Sequence, residues 1–244
     1  MWNGKTVSVV FSTYREKASI QNAIEDFFAT GFVDEIVVVN NNAEPGTDDE
    51  VKKTKARLVY ETRQGYGWGY QKGITEARGD IIILSEPDGT YTGADVEKFL
   101  VYGKEFPVVL GSRTNQSAIL EGAAMGFLRK WANVLVAKVA EVLFNTNALT
   151  EVGCTYKLFH REVLEELKPH WRAHDALFAT ELLLLVVGRR IKFIEIPITF
   201  RERVGSSSLT RHWYQLVRWG WRIFWFVVKF WFRWVRGGLA FRQQ

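Results

Sequence analysis

Apolar residues fall along the first 110 positions in short runs: Thr6–Phe11, Glu35–Val39, Arg57–Tyr60, Asp80–Leu84 and Pro107–Leu110. Runs this short, rich in β-branched residues and almost unbroken, predict strands buried on both faces. Between them Ala18–Ala29, Tyr70–Arg78 and Ala94–Tyr102 read as helices. Strand and helix in alternation predict an α/β fold, a Rossmann-like, mostly parallel sheet with helices on both faces. Ligands of such sheets gather beyond the carboxyl ends of the strands, so the loops at 12–16, 40–47 and 85–93 are expected to line one crevice. Past residue 111 the pattern changes. It predicts a helix over Met125–Phe144, a strand over Thr155–His160, an apolar helix over Ala176–Val187 and a strand over Ile191–Ile196 closed by Pro197. The loop Phe200–Ser208 then leads into an aromatic tail.

In that tail the cations Arg211, Arg218, Arg222, Lys229, Arg233 and Arg236 fall, at about 100° per residue, within an arc of roughly 60°. The rest is mostly Trp, Phe, Val, Ile and Leu. A long helix with a narrow basic stripe predicts an amphipathic interfacial helix, its aromatics in the acyl boundary and its stripe on anionic headgroups. Trp213–Val235 is long enough to span a bilayer. That path takes Arg218, Arg222, Lys229 and Arg233 through the core at about 2.5–3.5 kcal/mol for each central charge. A helix packed on the body or on a partner subunit is the third reading, and an integral-membrane partner protein stays open.

Charge sharpens this picture. The chain of 244 residues carries a formal +5, yet residues 201–244 alone hold nine Lys/Arg against the single acid Glu202. The first 200 residues are therefore slightly acidic, and six of the ten Trp lie between Trp213 and Trp234. A near-neutral body with a basic, Trp-rich end points to a membrane surface and away from nucleic acid. The single Cys154 excludes a disulfide framework and a cysteine metal site. The start runs straight into a strand without a basic and then apolar leader, so the expected location is peripheral, on the cytoplasmic face of a membrane. Residues 1–208 are expected to form the body and 209–244 the membrane-facing tail.

The chemistry concentrates where Ile81–Leu84 gives way to Ser85-Glu86-Pro87-Asp88-Gly89-Thr90. Two carboxylates two residues apart, just past a buried strand, offer hard oxygen ligands of the kind Mg²⁺ or Mn²⁺ prefers. Gly65-x-Gly67-x-Gly69 lacks the Gly-x-Gly-x-x-Gly spacing of a dinucleotide site.

Five segments in order resemble the family 2 glycosyltransferases, above all those acting on dolichyl or other polyprenyl phosphates; the likeness covers about residues 6–209. Phe11-Ser12-Thr13-Tyr14-Arg15-Glu16 is similar to the family's Pro-Thr-Tyr-Asn-Glu, with Ser12 for Pro and Arg15 for Asn. Asn40-Asn41-Asn42 stands where an Asp-rich nucleoside segment is usual, and Gly65-Tyr66 belongs to the glycine-rich start of a helix beneath the donor. Glu86-Pro87-Asp88 matches Asp-x-Asp with a Glu in first place. Gly111-Ser112-Arg113, with Arg129 and Asn133 four apart on one helix face, resembles the acceptor-phosphate site, and Glu151-Val152-Gly153-Cys154 sits at the family's Asp-x-x-Ser-Gly-like turn. Arg203-Val204-Gly205-Ser206-Ser207-Ser208 is similar to the Arg-x-Gly-x-Ser-Lys loop that closes over donor phosphates, with Ser208 for Lys and Arg211 nearby.

The resemblance implies a GT-A type catalytic domain that transfers a hexose from a GDP- or UDP-linked nucleotide sugar to a polyprenyl phosphate with inversion. It implies donor contacts from Thr13, Tyr14, Glu16, Asn40, Asn42, Gly65, Tyr66, Glu86, Pro87, Asp88, Arg203 and Ser207. Mg²⁺ or Mn²⁺ would sit on Glu86 and Asp88, and the acceptor phosphate on Arg113, Arg129 and Asn133, with Asp88, Arg113 and Arg129 carrying catalysis. A phosphate acceptor is already anionic at neutral pH and needs no general base. A hydroxyl acceptor does need one, and Asp175 and Glu181 are its candidates. A non-catalytic sugar-nucleotide or membrane-binding module is the reading from a different class.

Overall fold

The structure, a computed structural model, describes residues 1–120, 126–205 and 213–237. In chain order it contains β1 (Val7–Thr13), α1 (Lys17–Phe28), β2 (Glu35–Asn40), α2 (Thr47–Lys52), β3 (Arg57–Tyr60) and α3 (Tyr66–Glu76). These are followed by β4 (Ile81–Ser85), α4 (Val96–Tyr102), β5 (Val108–Ser112), α5 (Phe127–Phe144), β6 (Lys157–His160), α6 (Arg161–Leu167), α7 (Phe178–Gly188), β7 (Phe193–Pro197) and α8 (Trp213–Val235). One seven-stranded sheet runs β3-β2-β1-β4-β6-β5-β7. Every pairing is parallel except those of β6 with β4 and β5, which are antiparallel. The expected mostly parallel α/β sheet is therefore present, with one reversed strand in its acceptor-side half.

Strand residues alternate between two cores. Val7, Val9 and Phe11 of β1 join Ile20, Ile24 and Phe27 of α1 and Val96 and Phe99 of α4 on one face. Val10, Leu84 and Leu110 join α3, α5, α7 and α8 on the other. Burial on both faces is why the strands read as near-continuous apolar runs. Phe27 is fully buried, edge-on to Phe11 at 5.2 Å, a burial that contributes about 1.5–3 kcal/mol.

Helix α3 begins four residues before the expected start, and its glycines explain why. A Cβ on Gly67 would meet the backbone of Ala173 and His174 at 2.7 Å, and one on Gly69 would meet Ser12 Oγ at 2.0 Å. These glycines let the first turn of α3 wedge between the end of β1 and the loop at 173–174, so they read as a loop but serve close packing. The short helices α2 and α6 were not expected from the pattern.

Chain order leaves β1 toward β2 on one side and β4 on the other, so the sheet switches direction between β1 and β4. Loops beyond the ends of β1, β2 and β4 meet there, as expected. Asn41 N donates to Thr13 O at 3.1 Å, Glu44 N to Tyr14 O at 2.9 Å, and Ser19 Oγ to Pro87 O at 2.7 Å.

Candidate active site

On the donor side, the turn after β4 carries Asp88 almost fully buried. Its Oδ1 accepts hydrogen bonds from Thr90 N at 3.0 Å and Thr90 Oγ1 at 2.6 Å. Gly89 sits at φ +83°, where a side chain is strained, and a Cβ there would also press on Val204 at 3.1 Å. The extended segment 201–204 lies across this turn, with Arg201 N on Thr90 O and Val204 N on Asp88 O, each at 2.9 Å. Arg203 then spans the crevice, with Nη1 at 2.7 Å from Asp88 Oδ2 and Nη2 at 3.1 Å from Glu16 Oε1. The first contact is an ion pair in distance only, since no donor is aligned on the buried Oδ2 for a hydrogen bond. Glu16 does not cap α1 through its side chain. Its other oxygen accepts the backbone N–H of Tyr14 at 2.7 Å and of Arg15 at 2.8 Å, and the Thr13 hydroxyl at 3.2 Å.

Glu86, half-buried, accepts from the Thr155 hydroxyl, which also bonds Tyr66 Oη. Burial, and next the charge of Asp88, push the Glu86 carboxyl up to about 7. Asn40 and Asn42 are tied into their loop. Asn40 Nδ2 donates to Asp48 at 2.5 Å and its Oδ1 accepts Ala43 N at 2.8 Å. Asn42, at φ +56°, donates to Thr62 O at 3.1 Å. Asn41 between them is buried and donates to Glu61 O at 2.9 Å and Arg63 O at 2.7 Å, while accepting from Gly65 N at 2.9 Å.

Across the crevice Arg113 leaves the end of β5 and meets Glu151, whose side chain is wholly buried. Arg113 N donates to Glu151 Oε2 at 2.8 Å, Nε to Oε1 at 3.0 Å, and Nη2 also reaches Oε1. Asn133 Nδ2, on α5, adds a long 3.4 Å bond to the same carboxylate. The Glu151 carboxylate beside it holds the Arg113 guanidinium charged. Arg113 in turn acts electrostatically on Glu86, so the two halves of the crevice belong to one field. Lys157 lies beneath, 1% exposed, its Nζ without a hydrogen-bond partner among the described residues. Burial pushes its pKa down.

The candidate bases Asp175 and Glu181 are both engaged in holding structure. Glu181, buried on α7, accepts the N–H of Arg172 at 2.9 Å and of Ala173 at 2.8 Å. Asp175 accepts Leu177 N at 3.0 Å and is ion-paired with Arg222 of α8.

Residues 8–168, more than half of the chain, match the family model described as glycosyl transferase family 2. The chain belongs to this family. Among curated relatives, a dolichyl-phosphate hexose transferase of Haloferax volcanii is 26% identical over 204 residues, 83% of this chain and 86% of that one. A dolichyl-phosphate β-glucosyltransferase of Saccharomyces cerevisiae is 24% identical over 230 residues, covering 82% of this chain and 68% of that one. Among solved structures, glucosyl-3-phosphoglycerate synthase of Mycobacterium tuberculosis, in complex with Mn²⁺, uridine diphosphate and phosphoglyceric acid, aligns with a TM-score of 0.71. The match covers 93% of this chain and 79% of that one at 17% identity, which speaks to the fold alone. This is a glycosyltransferase of the GT-A fold, as the motifs imply.

Within the glycosyltransferase, Thr13, Tyr14, Glu16, Glu86, Pro87, Asp88 and Arg203 gather at the β1–β4 switch point, and Gly65 and Tyr66 join them through Asn41 and Thr155. Arg129 lies on α5, but its side chain falls outside the described residues, as do Ser207, Ser208 and Arg211. Sequence reasoning left Glu151 and Lys157 without roles. The signal was a lone Lys in an otherwise apolar strand.

The tail is more than two-faced. Ile223, Val227 and Phe230 of α8 are buried in the core with α5 and α7, and Trp234 Nε1 donates to Gly188 O at 3.0 Å. Trp221, Trp225 and Phe232 are 62%, 43% and 47% exposed, and Arg218, Arg222, Lys229, Arg233 and Arg236 are exposed beside them. The helix therefore packs on the body with one side and presents an aromatic and a basic side outward. Among the described residues no helix is long and apolar enough to cross a membrane.

Proposed function

We propose that this glycosyltransferase transfers a hexose from a nucleoside-diphosphate sugar to a polyprenyl phosphate at a membrane surface, inverting the anomeric centre. The observation that carries the reading is that one turn, 151–155, holds both Arg113, a cation suited to phosphate oxygens, through Glu151, and the carboxylate Glu86 through Thr155. The dolichyl-phosphate acceptor in the names of both curated relatives supports it.

The carboxylates fit a divalent cation. Asp88 Oδ2 is buried with no aligned donor, and Glu86 is held near neutrality by burial and by Asp88, so both gain from added positive charge. Mg²⁺ or Mn²⁺ on Glu86 and Asp88 would neutralise charge building on the leaving nucleoside diphosphate. Arg203, anchored through the 201–204 segment, would turn from Asp88 and Glu16 to the donor phosphates. Thr13, Tyr14 and the loop 40–42 would shape the nucleoside end. Arg113, with Arg129 and Asn133, would hold the acceptor phosphate so that one anionic oxygen attacks the anomeric carbon as the diphosphate departs. Charge stabilisation and alignment then supply the rate, with no proton to remove.

Residues 1–208 act as the catalytic domain and 209–244 as its membrane-facing tail. In this reading the exposed aromatics of α8 enter the acyl boundary and its basic stripe meets the anionic headgroups of the cytoplasmic leaflet, with the protein peripheral to it. The test is an assay with radiolabelled UDP-glucose, GDP-mannose and UDP-N-acetylglucosamine over polyprenyl phosphate in anionic vesicles, followed by lipid extraction and mild acid release. Label appearing in the acid-labile lipid fraction is expected. Label transferred only to water-soluble acceptors overturns the lipid-phosphate reading.

A further inference from the structure

Arg113 is committed along one edge in this structure. Its backbone N–H, Nε and Nη2 all donate to Glu151, so the Nε–Nη2 edge of the guanidinium, one of its two bidentate faces for a phosphate, is already occupied. For the acceptor to claim that edge, Arg113 must leave Glu151 Oε1. Glu151 is wholly buried, and it would keep the Arg113 N–H on Oε2 and a 3.4 Å bond from Asn133 but no counter-charge. A buried carboxylate left in that state is strongly disfavoured.

Lys157 is a buried cation with donors to spare. Lys157 opens β6 and pairs with Leu84 on one side and Leu110 on the other, while Leu110 pairs with Glu195 of β7. The row Leu84, Lys157, Leu110, Glu195 shares one face of the sheet. An ammonium carries three donors, and none of Lys157's is used among the described residues. The titratable groups acting on it are Cys154, Glu151, Arg113 and Glu195. Glu195 is already bonded by the N–H and hydroxyl of Thr150. The Cys154 thiol is held neutral by burial, which pushes it up to about 11. Glu151 is left as the carboxylate that needs a cation when Arg113 moves.

We propose that Lys157 is a positioning residue that frees Arg113: as the acceptor phosphate draws the guanidinium away, the Lys157 ammonium takes its place on Glu151. The buried carboxylate keeps a counter-charge throughout, and the flexible four-carbon stem lets the ammonium reorient while the backbone of β6 stays paired on both sides. This rests on the acceptor-phosphate reading above.

The test uses the full chain with vesicle-borne polyprenyl phosphate and whichever sugar nucleotide the wild type turns over. Lys157→Met is expected to raise the acceptor KM roughly 10- to 100-fold and to leave the donor KM near wild type. In the Glu151→Gln background no buried charge is stranded, so adding Lys157→Met is expected to change the acceptor KM less than about twofold. That background also serves if Lys157→Met alone fails to fold. A wild-type acceptor KM in Lys157→Met, or an equal loss with and without Glu151→Gln, overturns the swap. A wild type that labels no lipid phosphate overturns the acceptor reading itself, which separates the two failures.

Discussion

The two halves of the crevice hold their charges by different means. On the donor side Asp88 and Glu16 sit in tight turns and take their hydrogen bonds mostly from neighbours in sequence, Thr90 for one and Thr13, Tyr14 and Arg15 for the other, with Arg203 added from across the chain. On the acceptor side the main pairs all reach across the chain, Arg113 to Glu151 and Asp175 to Arg222. The donor half keeps one buried carboxylate oxygen, Asp88 Oδ2, without an aligned donor, and Glu86 is driven toward neutrality. The acceptor half leaves its main carboxylate saturated. One half is poised to receive a cation, and the other must exchange partners before it can receive an anion.

The sharpest way to break the comparison is to remove one charge from each half. Asp88→Ala is expected to lower kcat/KM by about 10³-fold, since it deletes charge stabilisation at the leaving diphosphate. Its thermal midpoint is expected to fall modestly, because the variant loses the two short-range bonds from Thr90 to Oδ1 and an Arg203 ion pair on Oδ2 that has no hydrogen-bond alignment. Steady-state kinetics beside a thermal melt checks both. Arg113→Gln is expected to cost more in stability. It takes the guanidinium from buried Glu151 and leaves Lys157 as the cation at hand, so the loss is expected to stay below the cost of a stranded carboxylate, about 3–5 kcal/mol. That figure is reached only when Lys157→Met is added, as denaturant unfolding would read. Arg113→Gln with Glu151→Gln is expected to regain most of that stability and none of the activity. Equal stability losses for Asp88→Ala and Arg113→Gln would erase the distinction between the halves.

The same contrast explains what the sequence made legible. Turns close over a few residues, so the donor motifs announced their chemistry and the structure gathers them at the switch point. Glu151 was visible as part of a turn motif but not as the partner of Arg113, because the two lie 38 residues apart and only the fold brings them together. The fold class followed from strand runs buried on both faces. The apolar periodicity missed the first turn of α3, where only the glycine-rich motif pointed to a helix start, because its glycines serve close packing on the backbone at 173–174. The basic stripe of α8 was visible as a periodicity. Its buried side, Ile223, Val227 and Phe230, looked no different from the aromatics it leaves exposed.

Asn41 sharpens the comparison from within the donor half, where the family usually has Asp. Its amide donates to two carbonyls, Glu61 O and Arg63 O, and only its oxygen accepts. An aspartate cannot donate, and its charge would face both carbonyls in a buried site. Asn41→Asp is expected to cost about 2–4 kcal/mol in chemical denaturation, a loss of scaffold with Asp88 untouched. A variant as stable as wild type would show that Asn41 is free to serve the nucleoside instead.

The smallest expected effect tests whether the donor half really stores unmet charge. Folding favours the neutral form of Glu86, whose carboxyl is pushed from 4.5 up to about 7 by burial first and Asp88 second. Its contribution to stability is therefore complete below about pH 4.5 and is lost as pH rises through about 7. Glu86→Gln mimics the neutral form at every pH. Without added metal it is expected to exceed the wild type by about 1–3 kcal/mol at pH 8, a few degrees in thermal midpoint, and to match it near pH 4.5. The side chain is half-exposed, so solvent keeps the gap toward the lower figure. Adding Mn²⁺ at pH 8 is expected to close the gap by stabilising the wild type alone, because the ionised carboxylate then has the charge it lacks. A gap that does not depend on pH would assign the effect to packing, and the donor half would then be as self-sufficient as the acceptor half.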